Sequence, residues 1–310
     1  MKVTDLIKHS TKPFTSIEII PPKKGTRMET LFGELEGLMR YKPAFMSVTS
    51  HAHERTIEEV NGKKIERIKN KRLDTNAICI AAQSRFGVVP TPHVICRGFT
   101  KDETEDMLLT LRFHGLENVL ALRGDGPPND GEFANIYASD LVEQMQRMNR
   151  GEYLDPMENA DKTDFCIGVA GYPEKHFEAP DFDTDLKNLK KKIDAGSHFI
   201  ITQMFFDNTA FYSFRDEIAR RGINVPVIPG IKPLYKKQHL EALPRIFYTK
   251  IPQAVQDSIN RFEKEEDIYR AGIDSTIAQC KDLLAHGVPG IHFYSMSVAK
   301  PTSDVLEGLK

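Results

Sequence analysis

Polar residues recur in this chain where apolar runs stop or are interrupted. Glu18 stands between two isoleucines in T-S-I-E-I-I, and Arg123 and Asp125 follow the run N-V-L-A-L as R-G-D. Gln203 interrupts I-I-T-Q-M-F-F, His93 lies in V-V-P-T-P-H-V-I-C, and Tyr294 lies in G-I-H-F-Y-S-M. A carboxylate in partly apolar surroundings has a raised pKa and suits general-acid work near neutral pH. Strand alternation alone does not say whether Glu18 faces a barrel mouth or a helix, where it would be a structural carboxylate paired with a lysine. Gln203 can donate and accept at once, which suits the lactam edge of a pterin or flavin; a core amide bonded to backbone reads the same. His93 fits a ligand contact or a satisfied core histidine.

Other constellations are weaker. Asp185 and Lys192 in D-L-K-N-L-K-K-K-I-D are seven apart, nearly on one helix face. They could hold the hydroxyl and phosphate groups of a nucleotide, or be solvated surface. His51 and His53 form H-A-H, but no further histidines or cysteines stand at ligand spacing, so no metal is expected. Cys79, Cys96, Cys166 and Cys280 are far apart and read as buried free thiols of a reducing cytosol. There is no Ser-His-Asp order and no P-loop.

The elements that must carry these residues alternate. Strands are expected at Thr15–Ile20, Phe45–Ser50, Val88–Cys96, Asn118–Leu122, Cys166–Gly171, Phe199–Phe205, Val225–Gly230 and Gly290–Met296. Helices are expected at Glu29–Tyr41, at Ile57–Lys71 with a charged outer face, and after the capping box at Thr100–Glu103. Further helices fall at Tyr137–Arg150, Asp183–Ala195, Asn208–Arg221 and through most of Lys236–Gly287, broken at Pro252. Gly151–Asp164 reads as a loop insertion. Eight strands, each followed by helix, predict an α/β fold of the (β/α)8 TIM-barrel type, with residues 1–310 as a single domain. The doubly wound alternative lacks its G-x-G-x-x-G, because the first strand ends in Pro21-Pro22. In such barrels function collects at the carboxyl ends of the strands, where the polar residues above fall.

Bulk properties narrow the partners. The formal net charge of -2 offers no basic face for nucleic acid. The polar N-terminus M-K-V-T-D-L-I-K-H-S lacks the apolar core of a signal peptide, and no run reaches membrane-spanning length. A cytoplasmic protein is expected.

Taken in order, S-I-E-I-I-P-P, F-M-S-V-T-S, P-T-P-H-V-I-C, N-V-L-A-L-R-G-D, Y-A-S-D-L-V, G-V-A-G-Y-P-E-K-H-F-E-A, N-L-K-K-K-I-D-A-G, I-T-Q-M-F-F-D, V-P-V-I-P-G-I-K-P and H-F-Y-S-M resemble the methylenetetrahydrofolate reductase family from about Thr15 to Met296. L-R-G-D and G-Y-P-E-x-H-x-E-A are the specific blocks. The resemblance implies noncovalent FAD across the strand ends and NADH or NADPH as electron donor. It implies a ping-pong transfer that turns methylenetetrahydrofolate into methyltetrahydrofolate for methionine synthesis.

By matching position, Glu18 is the acid that opens the imidazolidine, and Asp125 stabilises the iminium cation. Gln203, Tyr294 and Leu243 contact substrate. The FAD positions are Thr49, His93, Arg123, Gly124, Asp125, Tyr137, Ala138, Ala170, Tyr172, His176, Asp185 and Lys192. Gly124 would let the backbone pass close to the flavin, and the Gly126-Pro127-Pro128 turn would fix where the strand stops.

This chain also departs from the pattern. Leu243 stands where some bacterial relatives carry a stacking aromatic, and Ser297-Val298 stands where they carry Asn-Arg. The chain ends soon after strand eight, so the C-terminal regulatory domain of eukaryotic relatives, and feedback by adenosylmethionine, are not expected. Family members commonly self-associate, so a homo-oligomer is expected. Two competing readings are a flavin-free pterin-binding barrel transferase, which would need no Arg123/Lys192 phosphate clamp, and a non-catalytic partner-binding barrel.

Overall fold

The alternating runs close into a barrel in the computed structural model, which describes residues 1–125 and 133–310 apart from the side chains of Glu54, Arg55 and Ile68. In chain order the elements begin α1 (Val3–His9), β1 (Phe14–Ile19), α2 (Met28–Met39), β2 (Phe45–Val48), β3 (Glu54–Val60), β4 (Lys63–Lys69), α3 (Thr75–Phe86) and β5 (Val89–Ile95). They continue as α4 (Lys101–Phe113), β6 (Asn118–Leu122), α5 (Ala138–Arg150), β7 (Cys166–Gly171), α6 (Phe182–Asp194), β8 (Phe199–Thr202) and α7 (Asn208–Arg220). The last are β9 (Val227–Ile228), β10 (Gly230–Ile231), α8 (His239–Phe247), α9 (Gln253–Asn260), α10 (Glu265–Ala285), β11 (Gly290–Tyr294) and α11 (Ala299–Gly308).

The sheet order is β10-β11-β1-β2-β5-β6-β7-β8-β9, all parallel. β9 and β10 are two halves of one stave, parted at Pro229, which has no N–H to give a ladder. β9 pairs with β8 and β10 with β11, so the ring closes on eight staves, a (β/α)8 barrel.

Side-chain parity divides each stave. Ile17, Ile19, Met46, Val48, Val119, Ile167, Ile200 and Phe293 face the helices and join Leu35, Leu108, Leu141 and Phe214 in the main apolar core. The inward set is layered. Phe45, Leu120, Cys166, Phe199 and Ile228 fill the amino-terminal end, where Val3 of α1 plugs the barrel. The Val3 amide donates to Asn118 Oδ1 (2.8 Å) and Asn118 Nδ2 donates to the Met1 carbonyl (2.9 Å), which fixes the plug. Gly168 makes room for this layer: a Cβ there would lie 2.4 Å from the Phe199 ring. Above it the interior turns polar, with Ser16, Ser47, Thr91 and His292 fully buried and then Glu18 and His93 nearly so. Polar side chains enclosed among staves need partners or a ligand, and that layer is where a site is built.

One expected element is wrong. Ile57–Lys71 is not a helix: β3 and β4 form an antiparallel hairpin, registered from Val60↔Lys63 to Glu54↔Lys69. The turn is Asn61-Gly62, with φ of 53° and 73°. Asn-Gly with both residues left-handed is the two-residue turn whose twist matches paired strands. The charges that resemble a solvated helix face belong to a solvated ribbon. The helix of this region comes later, as α3. Asp74 caps it by accepting from the Ala77 amide (2.8 Å), and Gly87 closes it at φ 66°. The capping box at Thr100 forms as expected: Glu103 N donates to Thr100 Oγ1 (3.1 Å) and Thr100 N to Glu103 Oε2 (2.7 Å).

Candidate active site

Glu18 faces inward. It is level with Ser47 on β2 and Tyr294 on β11, and is 6 % exposed. Its Oε2 lies 3.2 Å from His93 Nε2 and 3.8 Å from His292 Nε2. His292 is positioned by two serines, with Nδ1 2.9 Å from Ser16 Oγ and Nε2 3.3 Å from Ser47 Oγ. The Ser295 hydroxyl donates to the Glu18 carbonyl (2.6 Å), locking the backbone.

These partners reverse the expected acidity. Burial pushes the Glu18 carboxyl up, but the pull of His292 and then of His93 outweighs it and holds the pKa at about 2. The flanking isoleucines face the helices, so the carboxylate is not in an apolar setting. At neutral pH it is an anion. His292 is itself held below the ordinary imidazole value by burial, against the favourable charge of Glu18.

The polar layer opens into a cavity of about 1380 Å³ at the carboxyl ends of the staves. That exceeds the roughly 300–1,000 Å³ of a site for one small ligand. Glu18, Thr49, His93, Arg123, Gly124, Asp125, Ala170, Tyr172, His176, Gln203 and Tyr294 line it, so eleven expected site residues from seven staves and their following loops meet in one space.

On one side lies a charged cluster. Arg123 Nη1 pairs with Glu178 Oε2 at 2.5 Å, and its carbonyl accepts from Arg97 N (3.0 Å). Gly124 has φ 85°, and a Cβ there would crowd Ile95 at 3.1 Å, so the neighbouring stave demands glycine. Asp125 is exposed at the rim. Asp185 is buried and accepts from His176 N (3.0 Å), and Lys192 Nζ donates to the Ala170 carbonyl. Burial lowers the Lys192 ammonium to about 8, against the favourable charge of Asp185. Tyr172 meets His176 edge-on at 4.7 Å.

On the other side, Gln203 falls just past β8 rather than within it. Its Oε1 accepts from Met204 N (2.9 Å), which leaves its amide NH₂ toward the cavity it lines. Tyr294 donates to the Thr202 carbonyl (2.6 Å), its ring lying against Gly230.

Some expectations do not fall together. Leu243 packs with Met204, Leu240 and Ile268 and does not line the cavity; Met204 and Phe247, one helical turn beyond Leu243, do. Tyr137, the N-cap residue of α5, Ala138, Asp185 and Lys192 stand outside the lining; Tyr137 is close enough to act on the charge of Arg123, and Asp185 and Lys192 bond to the lining residues His176 and Ala170. Ser297 has φ 62° and donates to the Ile20 carbonyl (2.9 Å), so its hydroxyl braces β1. The Gly126-Pro127-Pro128 turn lies outside the described residues. Sequence reasoning passed over His292, although G-I-H-F-Y places it two residues before Tyr294 and therefore on the same inward face. It also passed over Phe177, which lines the cavity and stacks on Tyr248 at 4.4 Å.

Comparisons with known proteins bear on the fold and the family. A solved protein from Clostridium thermocellum, described as binding two copies of 5-methyl-5,6,7,8-tetrahydrofolic acid, superposes with a TM-score of 0.62 at 14% identity, covering 99% of this chain and 97% of its own; at that identity it supports the fold. Methylenetetrahydrofolate reductase 1 of Schizosaccharomyces pombe is 32% identical over all of this chain, and the Arabidopsis thaliana enzyme named methylenetetrahydrofolate reductase (NADH) 1 is 31% identical. The chain spans about half the length of these two, 48% and 51%. The 5,10-methylenetetrahydrofolate reductase of Escherichia coli is 31% identical across 92% of this chain and 86% of its own length. The family model described as methylenetetrahydrofolate reductase matches residues 2–310, and this chain belongs to that family.

Proposed function

We propose that the chain is an FAD-dependent methylenetetrahydrofolate reductase. When bound, FAD would supply the redox chemistry, accepting hydride from NADH or NADPH and delivering it to the folate in a ping-pong order. The observation that carries this reading is an inward carboxylate flanked by two imidazoles, opening into a cavity lined by Arg123, with Lys192 held on the carbonyl of the lining residue Ala170.

The residues fit a dinucleotide. Thr49 Oγ1 is buried without a hydrogen-bond partner among the described residues, the condition expected where a ligand completes the set. Lys192 and Arg123 suit a pyrophosphate, with Glu178 occupying Arg123 meanwhile. Asp185, buried and held by the His176 amide, suits a ribose hydroxyl.

The folate would take the Glu18 side. Opening the imidazolidine breaks a C–N bond, sends its electron pair to nitrogen and needs a proton there. Glu18 is ionised at rest, so the proton it passes on enters from solvent through the cavity and is relayed to it by His93 beside it. The methylene carbon is left on a cationic iminium, and the rim carboxylate of Asp125 lowers its energy. The free amide of Gln203 suits the pterin edge. Met204 and Phe247 offer the apolar contact once expected of Leu243.

Turnover by the purified chain tests the assignment. Reduced nicotinamide should be oxidised both by a quinone and by methylenetetrahydrofolate. Quinone turnover without any folate product would rule out the folate reading. Asp125→Asn should slow folate turnover by about 10- to 100-fold while flavin binding holds. The reverse order would move Asp125 into the cofactor site.

A further inference from the structure

Lys232 is buried at 4 % exposure, and nothing above uses it. It follows β10, where Gly230 pairs with His292 and Ile231 with Phe293. The next step along the ladder is the level of Tyr294, which is also the level of Glu18 across β11. The Lys232 ammonium stands 5.1 Å from the centre of the Tyr235 ring. It makes no hydrogen bond or ion pair among the described residues. Of their charges, Glu18 favours the ammonium and Lys236 opposes it.

We propose that Lys232 is the fixed cation of the Glu18 site, a positioning residue that balances the carboxylate when both neighbouring imidazoles are neutral. The groups facing this cluster are His93 on β5, His292 and Tyr294 on β11, Tyr235 and Lys236 in the following loop, and His239 at the start of α8. An imidazole offers charge only when protonated, and burial disfavours that for His292 and for His239. From the side of Glu18 burial is the largest influence and the histidines are the strongest favourable ones; from the side of Lys232 the carboxylate is the one favourable charge. Burial lowers Lys232 to about 8, so it remains an ammonium at neutral pH. A lysine buried with no anion near can fall to about 5–6. The carboxylate and the ammonium therefore sustain each other across the barrel mouth.

The electrostatic claim stands without the folate assignment; its catalytic consequence rests on it. NMR titration of the Lys232 side chain in the full chain tests the first. In Glu18→Gln the one favourable charge is gone, so the Lys232 pKa should fall by about 1 unit or more below its wild-type value of about 8. An unshifted Lys232 titration in folded Glu18→Gln overturns the proposal, whatever the chain catalyses. The second is read in the pH profile of the ratio of folate to quinone turnover, in which effects on the flavin itself cancel. In wild type that ratio should fall as pH rises through about 8, and in Lys232→Arg, whose guanidinium stays charged, the fall should vanish. A fall unchanged in Lys232→Arg overturns the catalytic role.

Discussion

Glu18→Gln should reduce its flavin with nicotinamide nearly as fast as wild type, yet reduce folate about 10²–10⁴-fold more slowly, the usual worth of a positioned proton-transfer group. Glutamine matches the shape of glutamate and can hydrogen-bond the same histidines, so the barrel mouth keeps its form. It cannot accept a proton from His93 and hand it on. The flavin half-reaction needs no such proton on the folate side, so it should survive. Survival of both half-reactions would mean that another group opens the imidazolidine.

The same variant carries a stability signature with a definite sign. A carboxyl whose pKa falls from 4.5 to about 2 on folding adds stability that is present above 4.5 and lost as pH drops toward 2. Glu18→Gln should lack that component of acid unfolding, seen as a shallower loss of stability between those limits.

Lys192→Met should weaken FAD binding by about 10- to 150-fold, the equivalent of ~1.5–3 kcal/mol for a hydrogen bond to a charged group. Lys192 is held in place before any phosphate arrives, through the Ala170 carbonyl and the field of Asp185. The depressed ammonium makes pH a second probe. A pyrophosphate needs the charged form, so wild-type FAD affinity should fall as pH rises through about 8. Folding of the FAD-free chain should move the other way. A lysine lowered from 10.5 to about 8 costs stability while it is charged, so stability should rise between those pH values. Opposite slopes in fluorescence titration and in denaturant unfolding, the first lost and the second reduced in Lys192→Met because Lys232 shares the same shift, would be the signature. A pH-independent affinity would place the phosphates away from Lys192.

Much of the frame was legible because barrel staves are short apolar runs with clear punctuation. Asn118–Leu122 and Cys166–Gly171 coincide with β6 and β7 to the residue. The β3–β4 hairpin was misread because its charge density masked a period-two pattern, although Asn61-Gly62 marked the turn. The direction of Glu18 was not legible, since a stave of a parallel barrel is enclosed on both faces. Its acidity was inferred with the wrong sign for a related reason. The groups that set it, His93 and His292, lie on β5 and β11, far along the chain, and only closure brings them to one carboxylate. Lys232 is the same case: beside Pro233 it reads as a loop lysine, and only the ladder places it level with Glu18. Leu243 kept its family position but lost its exposure to Met204 and Phe247.

The visible absorption spectrum of the purified, folded chain tests the central claim most directly. A yellow protein, with a flavin band that bleaches when NADH or NADPH is added without oxygen and returns when methylenetetrahydrofolate follows, is the predicted result. A folded chain that stays colourless and takes up no FAD when it is supplied would contradict the account, and would favour a flavin-free pterin-binding barrel.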